Sequence, residues 1–170
     1  MFFWPSAEKR KEISLRLQQK FTLKNCVGMI DGTHQNLSTR PELCGEVYYM
    51  CKSCYAISAF LIVDDNKCTW HGNVGWPGSV HDNRIWSNTK MICDPDNFFS
   101  AAEYIIGDAT FTNSHILVTS YKCVSGQADL PAGQKWFNEK IKSPHSSVEN
   151  AIGIWKGRSM ATKYPYAYQK

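Results

Sequence analysis

The sequence predicts an α/β domain in which a mixed β-sheet is flanked by helices. Two observations carry this. Short runs rich in Val, Ile, Tyr and Phe recur at 26–31, 55–63, 68–74, 104–108 and 115–119. Helical patterns stand before, among and after them, so the order reads β-β-β-α-β-(β)-α behind a first helix. The chain has 170 residues, 43% of them hydrophobic. That is enough for one domain with a true core and excludes a disordered or low-complexity chain.

The first helix is expected over residues 6–20, with Ser6 as N-cap and Glu8 in the first turn. Ile13 and Leu17 give it a modest apolar stripe, and its mixed charges read as a solvated face. A strand follows at 26–31, then a polar turn and an irregular connection over 34–46 containing Arg40-Pro41 and Gly45. Residues 55–63 and 68–74 read as strands joined by the hairpin turn Asp64-Asp65-Asn66-Lys67. Gly75-Trp76-Pro77-Gly78 breaks the pattern, and a helix starts with Ser79 as N-cap and Asp82 three positions on, a capping-box-like spacing. Strands follow at 104–108 and 115–119, then a Gly/Pro loop over Gly126 to Gly133. A short helix is expected at 135–142. After Pro144 a last helix is expected at about 146–158, with Val148, Ile152 and Trp155 on one face. The tail from Ala161 to Lys170 has no clear period.

Composition narrows the function. No apolar run approaches the ~20 residues that span a bilayer, so no membrane partner is expected. The N-terminus lacks the pattern of a secretion signal. The net charge of +4 permits a polyanionic partner without demanding one. Seven irregularly spaced cysteines argue for reduced thiols rather than a disulfide framework. Cys51-Lys52-Ser53-Cys54 has C-x-x-C spacing but no second pair, which makes it a weak zinc or redox signal.

The stretch Val27-Gly28-Met29-Ile30-Asp31-Gly32-Thr33-His34 is an apolar run ending in a carboxylate. Taken alone, Asp31 at or near a strand end reads as a turn cap or as a ligand. Tyr104-Ile105-Ile106-Gly107-Asp108 repeats the pattern, and Glu149 lies inside the last helix. Two strand-end aspartates and a helical glutamate make a cage for hard divalent cations.

Order and residues together resemble the PIF/Harbinger type of the DDE transposase superfamily (DDE superfamily endonuclease). Gly28-Met29-Ile30-Asp31-Gly32-Thr33-His34 is similar to its first-aspartate block. Gly75-Trp76-Pro77-Gly78-Ser79-Val80-His81-Asp82 is similar to its Pro-Gly-Ser-x-His-Asp block, and Gly107-Asp108-Ala109-Thr110-Phe111 to its Gly-Asp block. Phe137-Asn138 and the run from Ser147 to Arg158 resemble its final block. The likeness covers roughly residues 20–160. It implies an RNase H-like mixed sheet over 21–160. Residues 1–20 would then be a helical remnant of a longer N-terminal region, and 161–170 a C-terminal tail. The chain lacks the arginine that usually precedes the final helix, where Ser143-Pro144-His145 stands.

The resemblance further implies a nuclease site with Asp31, Asp108 and Glu149 as catalytic metal ligands. Asp82 competes with Asp108 as the second aspartate; Asp108 is preferred because it ends a strand. The implied cofactor is a pair of Mg²⁺ (or Mn²⁺) ions. Two such ions about 4 Å apart can activate a water and stabilise the departing 3′-oxygen. DNA is the implied substrate, with strand transfer by a freed 3′-OH as the companion reaction. A separate DNA-binding protein is the further partner, oligomers are compatible, and the compartment is the nucleus. Lys156, two helical turns after Glu149, reads as a phosphate contact or a solvated lysine; Arg158 is a second backbone contact. His34 and His81, beside the aspartates, read as substrate-side or loop histidines. Trp70, Trp76, Trp86 and Trp155 read as packing residues. The alternative function is a catalytically silent, shortened or domesticated relative that serves as a DNA-binding or protein-interaction module.

Overall fold

The structure, a computed structural model, describes residues 3–123 and 129–158. The expected loop at 126–133 falls partly outside the described residues, and the tail at 161–170 lies wholly outside them.

Helix α1 spans Ala7–Phe21. Ser6 is extended and its Oγ accepts from the Lys9 amide at 3.3 Å. Thr22 closes the helix in the left-handed region, φ 62°, donating its N–H to the Gln18 carbonyl. Ile13 and Leu17 are fully buried against the sheet. The solvated-face expectation fails for two of the charges. Arg10 is 7% exposed and donates to Glu103 at 2.7 Å, to the Pro5 carbonyl and to Ser100. Arg16 donates to Asp64 and Asp65 in the turn of a hairpin. A long side chain on a helix flank can lie inward when acceptors wait there.

The sheet has five strands: β1 Cys26–Asn36, β2 Ala56–Val63, β3 Thr69–Pro77, β4 Tyr104–Gly107 and β5 Leu117–Thr119. Their order is β3-β2-β1-β4-β5. The β1–β2 and β2–β3 pairs are antiparallel, and the β1–β4 and β4–β5 pairs are parallel. The expected turn after Asp31 is absent: β1 runs on to Asn36. Its polar half is held because Asp31 faces Leu61, Gly32 faces Phe60, and pairing continues to Asn36 opposite Ala56. A ladder to an apolar partner strand outweighs the turn preference of a lone glycine.

Both faces of the sheet are buried. Met29, Leu61 and Ile106 pack with Ile13, Leu17, Val148 and Ile152 under α1 and α4 (Ala132–Arg158). Ile30, Phe60, Ile62 and Ile105 pack on the other face with Ile85, Trp86 and Met91 of α2 (Asp82–Ser87) and α3 (Lys90–Cys93). Trp86 is 1% exposed and meets Phe60 edge-on. Trp70 and Trp155 pack against the first cluster and Trp76 against the second.

Two helix expectations need correction. Ser79 is not a cap: its hydroxyl donates to the Val47 carbonyl at 2.6 Å, and α2 begins at Asp82 after His81. Residues 135–142 and 146–158 are not separate helices but one, α4, with Pro144 inside it. Proline removes one helical hydrogen bond. Ile141, Pro144, Val148 and Ile152 are all buried on the same side, so packing against the sheet carries the helix through.

Candidate functional site

Alternation along β1 decides what each side chain meets. Met29 belongs to the α4 face, so Asp31 shares that face. Ile30 belongs to the α2 face, so Gly32 shares it. The parallel ladder pairs Met29 with Ile106, which brings Asp108, just past the end of β4, beside Asp31. Glu149 approaches from α4.

Asp31 is half-buried, and its carboxylate accepts from the Gly32 amide at 2.8 Å. Burial pushes its carboxyl up to about 6 from 3.8. His145 opposes that rise, while Asp108 and Glu149 add to it. The three predicted ligands therefore share one field. The Asp108 carboxylate accepts from the Thr110 amide at 3.0 Å and from its hydroxyl. Glu149 is largely exposed, 3.5 Å from His145 Nε2.

Asp82 stands on the other face. A Cβ on Gly32 would lie 2.1 Å from its Oδ2, so glycine is needed there for space rather than for a turn. Burial pushes Asp82 up to about 6; Asp108 adds to this and His81 opposes it. Its Oδ1 is buried with no hydrogen-bond partner among the described residues. Asp108 thus acts on both Asp31 and Asp82, while β1 lies between those two.

Hard oxygen donors, one of them orphaned, fit a hard divalent cation. The spacing is open: among the described residues no three His, Cys, Asp or Glu side chains are close enough to hold one ion as they stand. The same holds for Cys51 and Cys54, and no disulfide joins two cysteines among the described residues.

The predicted substrate contacts divide. Lys156 and His34 line a groove of about 810 Å³ together with Gly32 and Lys52. Burial, first, and then Lys52 lower Lys156, while Asp31 opposes them. Burial, then Lys156 and Lys52, lower His34. His81 is exposed and lines a smaller pocket of about 310 Å³ with Asp82 and His34. Arg158 is exposed and is not among the residues lining either space. Sequence reasoning gave no role to His145, which acts on Asp31 as Lys156 does. Its signal was available: it lies one helical turn before Glu149.

The family model for DDE superfamily endonuclease matches residues 30–167 of the chain. The chain belongs to the DDE superfamily endonucleases. Its mixed five-stranded sheet with flanking helices is consistent with the RNase H-like fold of these endonucleases. It is also similar to a protein from Arabidopsis thaliana called Protein ALP1-like, 26% identical over 170 aligned residues. That alignment takes in 91% of this chain and 40% of the relative, so the chain spans under half the length of the curated relative it matches. No solved structure matches at a significant level. No helix among the described residues is long and apolar enough to cross a membrane.

Proposed function

We propose that this DDE superfamily endonuclease is a transposase-derived, Harbinger-type nuclease. It hydrolyses DNA phosphodiesters with divalent cations, Mg²⁺ or Mn²⁺ and two in number, held by Asp31, Asp108 and Glu149. The observation that carries the reading is the shared field of these three carboxylates, which come from two neighbouring parallel strands and the helix across them. Three like charges with one histidine among them repel one another until a cation neutralises them.

Each residue of the chain has a part. Asp31, half-buried on a paired strand, is the best-fixed ligand. Asp108 lies between Asp31 and Asp82, which makes Asp82 an auxiliary ligand through its orphaned Oδ1. Glu149, exposed and paired only loosely to His145, is free to swing toward a cation. Lys156 and His34 hold the substrate backbone on one side, and Arg158 and His81 touch it farther out. Bound cations supply charge stabilisation of the phosphate and of the attacking and leaving oxygens. DNA as substrate implies work in the nucleus, with a separate DNA-binding protein and strand transfer as further features of this reading.

The test is nicking of supercoiled plasmid in Mg²⁺ or Mn²⁺ by the protein and by Asp31→Ala and Glu149→Ala. Metal-dependent nicking that both substitutions abolish is expected. The second reading, a silent DNA-binding relative, is favoured by the open spacing of the carboxylates. It would be adopted if neither nicking nor Mn²⁺ binding is seen.

A further inference from the structure

The groove beside the carboxylates is basic on several sides at once. Lys156 enters it from α4, His34 from β1 and Lys52 from the loop between β1 and β2. No Asp or Glu is among its lining residues. Among the described residues Lys52 makes no ion pair, although acidic side chains elsewhere in the fold take up Arg10 and Arg16. Lys52 nevertheless stands in a defined place. Its loop is a tight turn in which the Met50 amide donates to the Cys54 carbonyl at 2.9 Å and the Ser53 amide donates to Met50 at 3.0 Å. Tyr49 and Tyr55 close its base, with rings 5.2 Å apart. The Leu37 amide, just past β1, donates to the Tyr55 carbonyl at 2.8 Å. The turn is thereby tied to the strand that carries Asp31.

The three cations repel one another: Lys156 and Lys52 lower His34, and Lys52 lowers Lys156, with Asp31 opposing that fall. An anion entering the groove relieves that repulsion. The groove borders the carboxylate site, because Gly32, next to Asp31 in the strand, is one of its lining residues and Asp31 acts on Lys156 at its edge. A single phosphate would leave most of about 810 Å³ unfilled, whereas several linked phosphodiesters would occupy it and meet more than one of its cations.

We infer that this groove seats the phosphodiester backbone of the DNA strand running on from the cleaved bond, with Lys52 as a phosphate contact. The inference rests on the nuclease reading above.

The experiment measures binding of a short fluorescein-labelled single-stranded DNA by anisotropy over a range of salt. It is done in Ca²⁺, which takes the same oxygen ligands. Lys52→Ala is expected to weaken binding about fivefold and to lower the slope of log affinity against log salt by about 0.7, one phosphate's share. Lys52→Glu should weaken it further, and Lys52→Arg should restore it. Lys67→Glu, at the far end of β2, should bind like the parent and controls for net charge. Lys52 is exposed, so unchanged thermal unfolding is expected and shows that the fold survives. Parental affinity and slope in Lys52→Glu would overturn the inference and leave the nuclease reading intact. Absence of binding and of nicking in the parent protein overturns both.

Discussion

Two sets of buried carboxylates in this molecule are treated in opposite ways. At one end of the sheet, Asp64 is 2% exposed and accepts from the Asn66 and Cys68 amides at 2.9 Å and from Arg16 at 3.2 Å. Asp65 accepts from the same guanidinium, and Glu103 holds Arg10 at 2.7 Å. Around the other half of β1, Asp31 accepts a single amide, Asp82 keeps an orphaned oxygen, and the negative charge is opposed by histidines and, at Asp31, by Lys156. Buried charge that holds a fold together arrives with its partner. Buried charge with fewer partners is a standing cost to the fold.

The sharpest way to break the comparison is chemical. Asp31→Ala or Glu149→Ala should lower metal-dependent nicking by about a hundredfold or more, because cation stabilisation is among the largest catalytic terms. Asp82→Asn should cost less, about tenfold. Equal losses at Asp82 and Asp31 would show that β1 does not separate their roles. Next in size is the structural set. Arg10→Ala strands Glu103 in a nearly dry site and should destabilise the protein by about 3 kcal/mol in urea unfolding. Destabilisation below 1 kcal/mol, on the order of an exposed pair, would remove the contrast. Gly32→Ala comes third. Its Cβ would displace the Asp82 carboxylate, and a loss of about 1–3 kcal/mol is expected from the overpacking.

The smallest effect runs the other way. The folded carboxyls of Asp31 and Asp82 sit at about 6 rather than 3.8, so the folded state holds these protons more tightly than the unfolded chain. Their contribution is full below about pH 4 and is lost as pH rises through about 6. In metal-free protein at pH 7, Asp31→Asn should therefore stabilise the fold by about 1–2 kcal/mol, after allowance for its partial exposure. The gain should vanish at low pH. Thermal unfolding across that range checks the sign, and a destabilised Asp31→Asn would mean that the carboxylate is paired after all.

Much of this was legible in the chain, for physical reasons that differ by element. The apolar runs at 26–31, 55–63 and 104–108 announce strands because both faces of this sheet are covered. Asp31, Asp108 and Glu149 could be named from the blocks they sit in, and the parallel pairing of β1 with β4 brings the first two side by side. What stayed hidden depends on partners distant in sequence. The polar half of β1 reads as turn until Ala56 to Leu61 pair with it. Arg10 reads as solvent-facing until Glu103, 93 residues on, reaches it. The opposite placement of Asp82 follows from strand alternation and a glycine beneath it, which no local pattern encodes.

The overhang of β1 has a mechanical meaning. Beyond Ile30 the strand stays laddered to β2 on one flank, while β4 has already ended on the other. Asp31 and the residues up to Asn36 therefore form one stiff ledge, graduated at about 3.3 Å per residue. On such a caliper, the offset between Asp31 and the groove-lining residues His34 to Asn36 is set by strand register. Inserting one residue after Asp31 would turn every later side chain to the wrong side of the ledge and leave Asp31 itself where it stands.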